Sequence, residues 1–202
     1  MKAISVWNPK GGQGKSMLSL NLAGAAKTLQ LKPIIICQDP QGTSTIFAKG
    51  GNLPFSVISH IPSSEPDADI VIFDHQASDW ELPPCDVVVM PVKPERSQYA
   101  TYADAVQRVQ KAGRRVITVV TDGNMTRKNE KNTVLSLRQR GAYEIRTSVA
   151  FSRAADQYRT IFDSVFDKVN NINDRRSEVL AILTAILREQ QTTEEDEQQR
   201  TA

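Results

Sequence analysis

The chain has 202 residues, of which 40% are hydrophobic and 24% are charged, as in ordinary soluble globular proteins. Its apolar runs fall short of the roughly 20 residues that cross a bilayer. The opening residues 1–6 are too few and too strand-like for a signal peptide. We therefore expect a cytoplasmic protein, with Cys37 and Cys85 as buried thiols in a reducing compartment.

The net charge of +2 hides an uneven distribution along the chain. Residues 93–159 contain fourteen Lys and Arg against six Asp and Glu, a local excess of eight positive charges. The end of the chain is acidic instead, with five Asp and Glu between residues 189 and 197. The basic middle segment predicts an anionic partner.

Short apolar, β-branched runs alternate with segments of helical periodicity. Strands are predicted at 3–7, 33–37, 70–73, 87–90 and 116–120, and near Ile145. Helices are predicted at 15–29, 98–112, 130–140, 154–165 and 175–189.

This alternation predicts an α/β fold, a doubly wound and mostly parallel sheet with helices on both faces. A single domain is expected over residues 1–190, because neither a repeat nor a Gly/Ser linker interrupts it. Residues 191–202 are polar and acidic, and are expected to form a disordered tail. Ligands of such sheets bind beyond the carboxyl ends of the strands, where Asp39 and Asp74 stand.

A glycine-rich turn lies between the first predicted strand and the first predicted helix, with the sequence Asn-Pro-Lys-Gly-Gly-Gln-Gly-Lys-Ser at 8–16. Pro9 stands where the general phosphate-loop pattern has its first glycine. Glycines let backbone N–H groups turn toward a polyphosphate, and the helix N-terminus faces the same anion. The alternative is a glycine-rich turn with an incidental Lys-Ser pair. The predicted nucleotide-binding residues are Lys10, Gly11, Gly12, Gln13, Gly14, Lys15, Ser16 and Met17.

A phosphate loop also needs groups for a metal ion and for the attacking water. The Ser16 hydroxyl and Asp74, at the end of an apolar strand, are predicted ligands of Mg²⁺. Asp39 is predicted to orient the water and to contribute to the metal site. Each aspartate has a simpler interpretation as a turn residue after a strand. Lys10, Lys15 and Asp39 are the predicted catalytic residues.

The motifs at 10–16 and 39–42 resemble a known family. Lys-Gly-Gly-Gln-Gly-Lys-Ser looks like the deviant Walker A motif of the ParA/MinD ATPases, and Asp-Pro-Gln-Gly resembles the ParA-type switch. Asp74 falls on the Walker B aspartate, and residues 86–95 resemble the strand and turn that follow it. The resemblance covers about residues 1–165 and is closest to the short plasmid partition ATPases.

The resemblance implies a slow, partner-stimulated ATPase that uses ATP and Mg²⁺ and forms an ATP-dependent homodimer. Lys10 of one subunit would reach the phosphates held by the other. The dimer would bind DNA non-specifically on the nucleoid and position a plasmid or similar cargo with a small DNA-binding adaptor, a centromere-binding protein. Two positions depart from the family: Cys37 replaces an acidic residue, and His75-Gln76 replaces a Pro-Pro pair.

The nucleic-acid partner also follows from charge, since dispersed cations are sufficient for phosphate contacts. An ordinary basic surface is the competing interpretation. The apolar stripe at 179–187 is expected to pack on the domain, because the acids after it disfavour a membrane. The candidate DNA-binding residues are Arg138, Arg140, Arg146, Arg153 and Arg159.

Two rival functions remain open. One is an ATP-dependent localisation or recruitment switch, at a cell pole or in conjugation, with little hydrolysis. The other is a different class of P-loop enzyme, such as a small-molecule kinase or a metal-cluster carrier, although a carrier should have paired cysteines. The adenine-contacting residues are not fixed by the motifs; Thr121 and Asp122, after a late strand, are the candidates.

Overall fold

A computed structural model describes residues 1–39, 42–77 and 79–188 of the chain. The strands are β1 (Lys2–Val6), β2 (Pro33–Cys37), β3 (Ser56–Ile58), β4 (Ile70–Asp74), β5 (Val87–Val92), β6 (Arg115–Thr121) and β7 (Tyr143–Ile145). The helices are α1 (Lys15–Thr28), α2 (Thr43–Lys49), α3 (Arg96–Lys111), α4 (Lys128–Gln139), α5 (Val149–Asp156) and α6 (Ile172–Leu187).

All seven strands pair in parallel in one sheet, in the order β3-β2-β4-β1-β5-β6-β7. The predicted doubly wound α/β fold is therefore confirmed. The central strands are mostly apolar because helices cover both faces; β5, for example, is buried at all six positions. The first strand, β1, lies in the middle, so the loop that follows it opens at the centre of the carboxyl edge.

Each face of the sheet has its own apolar core. One contains residues of α1, α5 and α6 packed on β1, β2 and β4. The other is smaller and contains Trp7, Val88 and Met90 beneath residues of α3 and α4. The apolar stripe of α6 belongs to the first core, since Val179 and Ile182 are fully buried there. No helix among residues 1–39, 42–77 and 79–188 has the length and hydropathy needed to cross a membrane.

The helix predicted at 154–165 is wrong. The helix α5 begins earlier, where the Ser148 hydroxyl accepts a hydrogen bond from the N–H of Ala150 and caps it. It ends before Tyr158, whose left-handed backbone, with φ of 53°, cannot continue an α-helix. Helix α2, of seven residues, and the edge strand β3, of three, were not predicted. Each is too short to show a clear hydrophobic periodicity.

Pro91 was expected to end its strand, yet it lies within β5. Pairing of β5 with β1 stops at Val89, so the missing N–H of Pro91 removes no bond from that ladder. Its carbonyl accepts a hydrogen bond of 2.8 Å from Asn8 Nδ2 instead. The strand thereby extends toward the glycine-rich loop. The tail predicted at 191–202 lies outside the described residues, as do the last two residues of the predicted domain.

Candidate phosphate-binding site

The glycine-rich loop joins β1 to α1 at the carboxyl edge of the sheet. Gly12 and Gly14 adopt φ of 75° and 86°, a left-handed region that side chains disfavour. Gly14 occupies the N-cap of α1, which has neither a side-chain cap nor an acid in its first turn. The first N–H groups of α1 are therefore left for an anion.

A cavity of about 520 Å³ opens beside this loop. It brings together four of the predicted residues, Lys15, Ser16, Asp39 and Asp74, although they come from three separate parts of the chain. The lining residues are Gly12, Gln13, Gly14, Lys15, Ser16, Met17, Asp39, Gly42, Thr43, Ile46, Asp74, His75, Gln76 and Ala77.

Lys15 places a positive charge inside the loop. Its side chain is buried, and its Nζ donates to the carbonyls of Asn8 at 2.9 Å and Lys10 at 3.2 Å. Burial lowers the pKa of this ammonium, while the charges of Asp74 and Asp79 act in the opposite direction. The loop backbone thus holds the Lys15 ammonium at the place where the oxygens of a bound phosphate would be expected.

Asp74 is the most enclosed carboxylate of the site, at 2% exposure. Strand β4 pairs with β1 on one side and with β2 on the other, and Asp74 lies opposite Val6 and Cys37. Ser44 Oγ donates to Asp74 Oδ2 at 2.6 Å, whereas Oδ1 has no hydrogen-bond partner among the described residues.

The pKa of Asp74 is raised by burial. The neighbouring Ser44, Ser16 and Ser19 hydroxyls and the Lys15 ammonium oppose this effect. A buried carboxylate with one oxygen unused is costly unless a proton or a cation reaches it. Asp74 therefore offers a ligand position beside Ser16.

Asp39 lies two residues beyond β2, half-buried at the rim of the same cavity. Its backbone carbonyl accepts hydrogen bonds from Gly42 N at 2.8 Å, Thr45 Oγ1 at 3.3 Å and Cys37 Sγ at 3.1 Å. A Cβ on Gly42 would lie 2.9 Å from this carbonyl, so the turn requires glycine. The Cys37 thiol thus helps to fix the turn that carries Asp39.

Gln13 was predicted to bind nucleotide, but its side chain points into the protein at 1% exposure. Its Nε2 donates to Gln98 Oε1 at 2.5 Å and to the Gly11 carbonyl at 3.2 Å. Its Oε1 accepts from the Lys93 N–H at 2.9 Å, and its carbonyl accepts from Thr121 Oγ1 at 3.0 Å. The side chain of Gln13 therefore anchors the loop.

Lys10 and Gly11 form the outer part of the loop. Lys10 is half-buried, and its backbone N–H donates to Asn8 Oδ1 at 2.9 Å. A Cβ on Gly11 would lie 3.5 Å from Ala77 Cβ, an ordinary contact. The predicted contact of Lys10 with phosphates in a second subunit stays a prediction.

A second cavity, of about 420 Å³, lies on the other side of the loop. Gly12, Gly14 and Met17 line both cavities. The two candidate adenine contacts, Thr121 and Asp122, lie here. The remaining lining residues are Lys93, Ile145, Arg146, Thr147, Ser148, Val149, Phe151 and Ser152.

Asp122 organises this second cavity. It adopts a left-handed backbone with φ of 55°, accepts from Lys93 Nζ at 2.9 Å and accepts from Thr147 Oγ1 at 3.2 Å. These bonds join the ends of β5, β6 and β7. Phe151 comes from the start of α5, an element that the sequence placed too late, so its place in the cavity was not foreseen.

His75 follows Asp74 and is buried, at 3% exposure. Its Nε2 lies 3.0 Å from Ser5 Oγ, and its Nδ1 lies 3.4 Å from Asp79 Oδ2. Burial lowers the pKa of the imidazole, opposed by Asp79, so the neutral form is favoured. His75 thereby ties the segment after Asp74 to strand β1.

The five arginines predicted to bind DNA differ in their ion pairs. Arg146 lines the second cavity and pairs with Glu178 at 2.6 Å, and Arg159 pairs with Asp163. Arg138 lies near the end of α4, 3.6 Å from Glu144. The remaining two, Arg140 and Arg153, are exposed and form no ion pair within the described part of the chain.

Three solved structures share this architecture over almost their whole length. McdA from Cyanothece, in an ATP complex, aligns with a TM-score of 0.67 and 14% identity, over 96% of this chain and 99% of that chain. MinD from Aquifex aeolicus gives 0.69 and 14%, over 92% and 98%. A plasmid partition protein from Borrelia burgdorferi, bound to AMPPNP, gives 0.68 and 14%, over 91% and 98%.

No protein-family model and no curated protein sequence matches the chain. At 14% identity the likeness to the solved structures is one of fold. It agrees with the motif resemblance, which rests on the glycine-rich loop and on the aspartates that follow β2 and β4. The chain has the P-loop fold of the MinD and ParA-type proteins.

Proposed function

We propose that the chain is an ATPase that binds Mg-ATP at residues 10–17 and uses hydrolysis to position a cargo. One observation carries the proposal: Lys15, Ser16, Asp39 and Asp74 line a single cavity against the open N-terminus of α1. A structural turn would need neither a buried lysine nor a buried carboxylate. Both are costly to bury without a ligand to offset them.

Phosphate binding follows from the geometry of the loop. The N–H groups at the start of α1 and the left-handed glycines offer donors, and Lys15 adds a full positive charge. The carbonyls of Asn8 and Lys10 that now accept from Lys15 keep its side chain aligned with the loop. Such positioning accounts for most of the catalytic effect in phosphoryl transfer.

The residues fit Mg²⁺. Asp74 Oδ1 is buried and unpartnered within the described residues, and the Ser16 hydroxyl is one of the neighbours that stabilise this carboxylate. Among the described residues no cluster of three or more His, Cys, Asp or Glu could hold a metal alone. Magnesium prefers this arrangement, with one or two protein oxygens and the rest from phosphate and water. The bound ion would neutralise charge on the phosphate oxygens.

Asp39 is the group we assign to the attacking water. It lines the same cavity as Lys15, two residues beyond strand β2, and is half-exposed, so water can reach it. A carboxylate there can accept a hydrogen bond from water and orient it. The hydrogen bonds to its carbonyl hold the turn so that this side chain stays with the cavity.

The second cavity is where we place the nucleoside. It adjoins the loop through Met17 and has the apolar side chains of Ile145 and Phe151, which suit a flat base. Thr121 and Asp122 supply polar groups at its wall. We therefore keep both as candidate adenine contacts.

We further propose an ATP-dependent homodimer that binds DNA non-specifically with the help of a small DNA-binding adaptor. The motif resemblance and the solved relatives, named as MinD, McdA and a plasmid partition protein, support a positioning role. For DNA the exposed Arg140 and Arg153 are the best placed of the predicted residues, since neither forms an ion pair with another described residue. The cargo would be a plasmid or a similar body.

The test separates binding from turnover. Calorimetry should detect Mg-ATP binding by the unmodified chain and a loss of at least about 100-fold in Lys15→Ala, because a buried phosphate charge loses its partner. Asp39→Ala should bind ATP but release no phosphate. Normal turnover by both variants would refute the assignment. Binding without turnover in the unmodified chain, even with DNA and a partner present, would favour a recruitment switch.

A further inference from the structure

A third cavity, of about 620 Å³, opens at the carboxyl ends of β5 and β6. It lies between the first turns of α3 and α4, on the face of the sheet opposite α1. None of its residues belongs to the two cavities described above. The lining residues are Pro94, Glu95, Arg96, Tyr99, Arg127, Lys128, Asn129, Glu130, Asn132 and Thr133. We call this cavity the α3–α4 cleft.

The cleft has a positive character. Arg96, Arg127 and Lys128 line it and are exposed, and both helices point their N-termini toward it without a side-chain cap. Of its two acids, Glu130 is already used. It is buried, accepts from Arg127 Nη1 at 2.9 Å and accepts from the Asn124 N–H at 3.1 Å. Because Arg127 and Glu130 neutralise each other, the exposed Arg96 and Lys128, with the two helix ends, outweigh the one remaining acid.

The cleft also has a direct connection to the phosphate loop. Its wall at Pro94 and Glu95 belongs to the turn between β5 and α3. On either side of that wall, the Lys93 N–H and the Gln98 side chain both bond to the buried side chain of Gln13. A ligand that moves this turn therefore acts on the loop through Gln13.

We propose that the α3–α4 cleft docks an acidic peptide segment of a partner protein, and that Gln13 transmits its occupancy to the nucleotide site. Charge complementarity identifies the chemistry of the partner. The cleft also offers Asn and Thr side chains and an aromatic ring, which suit the backbone and side chains of a peptide. Docking stands apart from the proposed ATPase function; only the transmission step rests on it.

Docking is tested with a fluorescein-labelled decaglutamate peptide and the nucleotide-free chain, followed by fluorescence anisotropy. We expect saturable binding that weakens about tenfold in Arg96→Glu/Lys128→Glu, because attraction is replaced by repulsion. Glutamate in the first turn favours a helix, so this variant should fold. Lys168→Glu reverses an exposed charge outside the cleft and serves as the matched control.

Two outcomes would overturn docking: no saturable binding, or equal weakening in the cleft variant and in Lys168→Glu. The chain's own acidic residues 189–202 could occupy the cleft in place of a partner. Peptide binding is therefore measured also with a chain shortened to end at Arg188. Binding that appears only in the shortened chain would identify the tail as the occupant and contradict a partner.

Transmission is tested by measuring the affinity for a fluorescent Mg-ATP analogue with and without saturating decaglutamate. We expect a change of about fivefold in the unmodified chain, within the usual range of coupling between sites. Gln98→Ala should abolish this change and keep peptide affinity, since Gln98 does not line the cleft. An unchanged affinity in the unmodified chain would refute transmission. Failure to bind the analogue at all would count against the ATPase proposal and leave docking intact.

Discussion

Two adjacent strands, β4 and β2, deliver two aspartates to the same cavity in very different ways. Asp74 is the last residue of β4, buried, and held on both sides by the ladder and by Ser44. Asp39 lies two residues beyond β2 and is half-exposed. Its backbone carbonyl accepts hydrogen bonds that hold the turn, including one from Cys37 Sγ. From this difference we infer two roles: the buried Asp74 carboxylate would bind a cation, and the half-exposed Asp39 carboxylate would bind the attacking water.

The proposed difference between Asp74 and Asp39 is tested most strongly by replacing each aspartate with asparagine. We expect Asp74→Asn to lose the Mg²⁺ dependence of ATP affinity, a weakening of at least about tenfold, because an amide is a poor ligand for a hard cation. Asp39→Asn should keep that affinity within about threefold and lose about 100-fold in turnover. Calorimetry at varied Mg²⁺ and a phosphate-release assay measure the two effects. Identical behaviour of the two variants would remove the distinction.

The supporting hydroxyls provide a second, smaller test. Ser44→Ala should lower the free energy of unfolding by about 1–3 kcal/mol, because the buried Asp74 Oδ2 loses its donor. Thr45→Ala, one residue away, removes a longer bond to the Asp39 carbonyl at the half-exposed turn, and should cost less than about 1 kcal/mol. Urea denaturation of the two variants makes the comparison. A larger loss of unfolding free energy in Thr45→Ala than in Ser44→Ala would contradict the view that the hydrogen bond to the buried Asp74 is the more stabilising of the two.

The smallest expected effect concerns pH. Burial lowers the pKa of His75 below the unfolded value of 6.5, so the unfolded state takes up a proton first as pH falls. Stability from the neutral imidazole is therefore present above pH 6.5 and decreases below it, by at most about 1.4 kcal/mol per pH unit. The raised pKa of Asp74 acts in the opposite direction, adding stability as pH falls toward 3.8.

These two pH effects can be separated by substitution. His75→Asn should remove the loss of stability below pH 6.5, and His60→Asn, at an exposed position, is the matched control. Asp74→Asn should remove the opposing gain. The measurement is the free energy of unfolding in urea from pH 5 to pH 8. A pH profile unchanged by His75→Asn would show that another group titrates.

Much of the glycine-rich loop's geometry could be predicted from local sequence, because its residues are continuous in the chain. The left-handed positions of Gly12 and Gly14 need glycine, and the lysine and serine that follow are carried on the first turn of α1. Strand-end aspartates were predictable too, since parallel strands place their carboxyl ends at one edge. The helix at 154–165 was not, because a cap at Ser148 and a left-handed Tyr158 outweigh apolar spacing there.

The sequence alone determined six of the seven described strands, the glycine-rich loop and the identity of the charged groups, since these depend on backbone preference and on residues close together in the chain. Tertiary structure decided what each group faces. It turned Gln13 inward to meet Lys93 and Gln98, paired three of the five arginines with acids and opened the α3–α4 cleft between two helices. Such contacts join residues far apart in the chain, 108 positions in the bond from Thr121 to Gln13. The packing of helices on the sheet sets these contacts, and no local pattern encodes it.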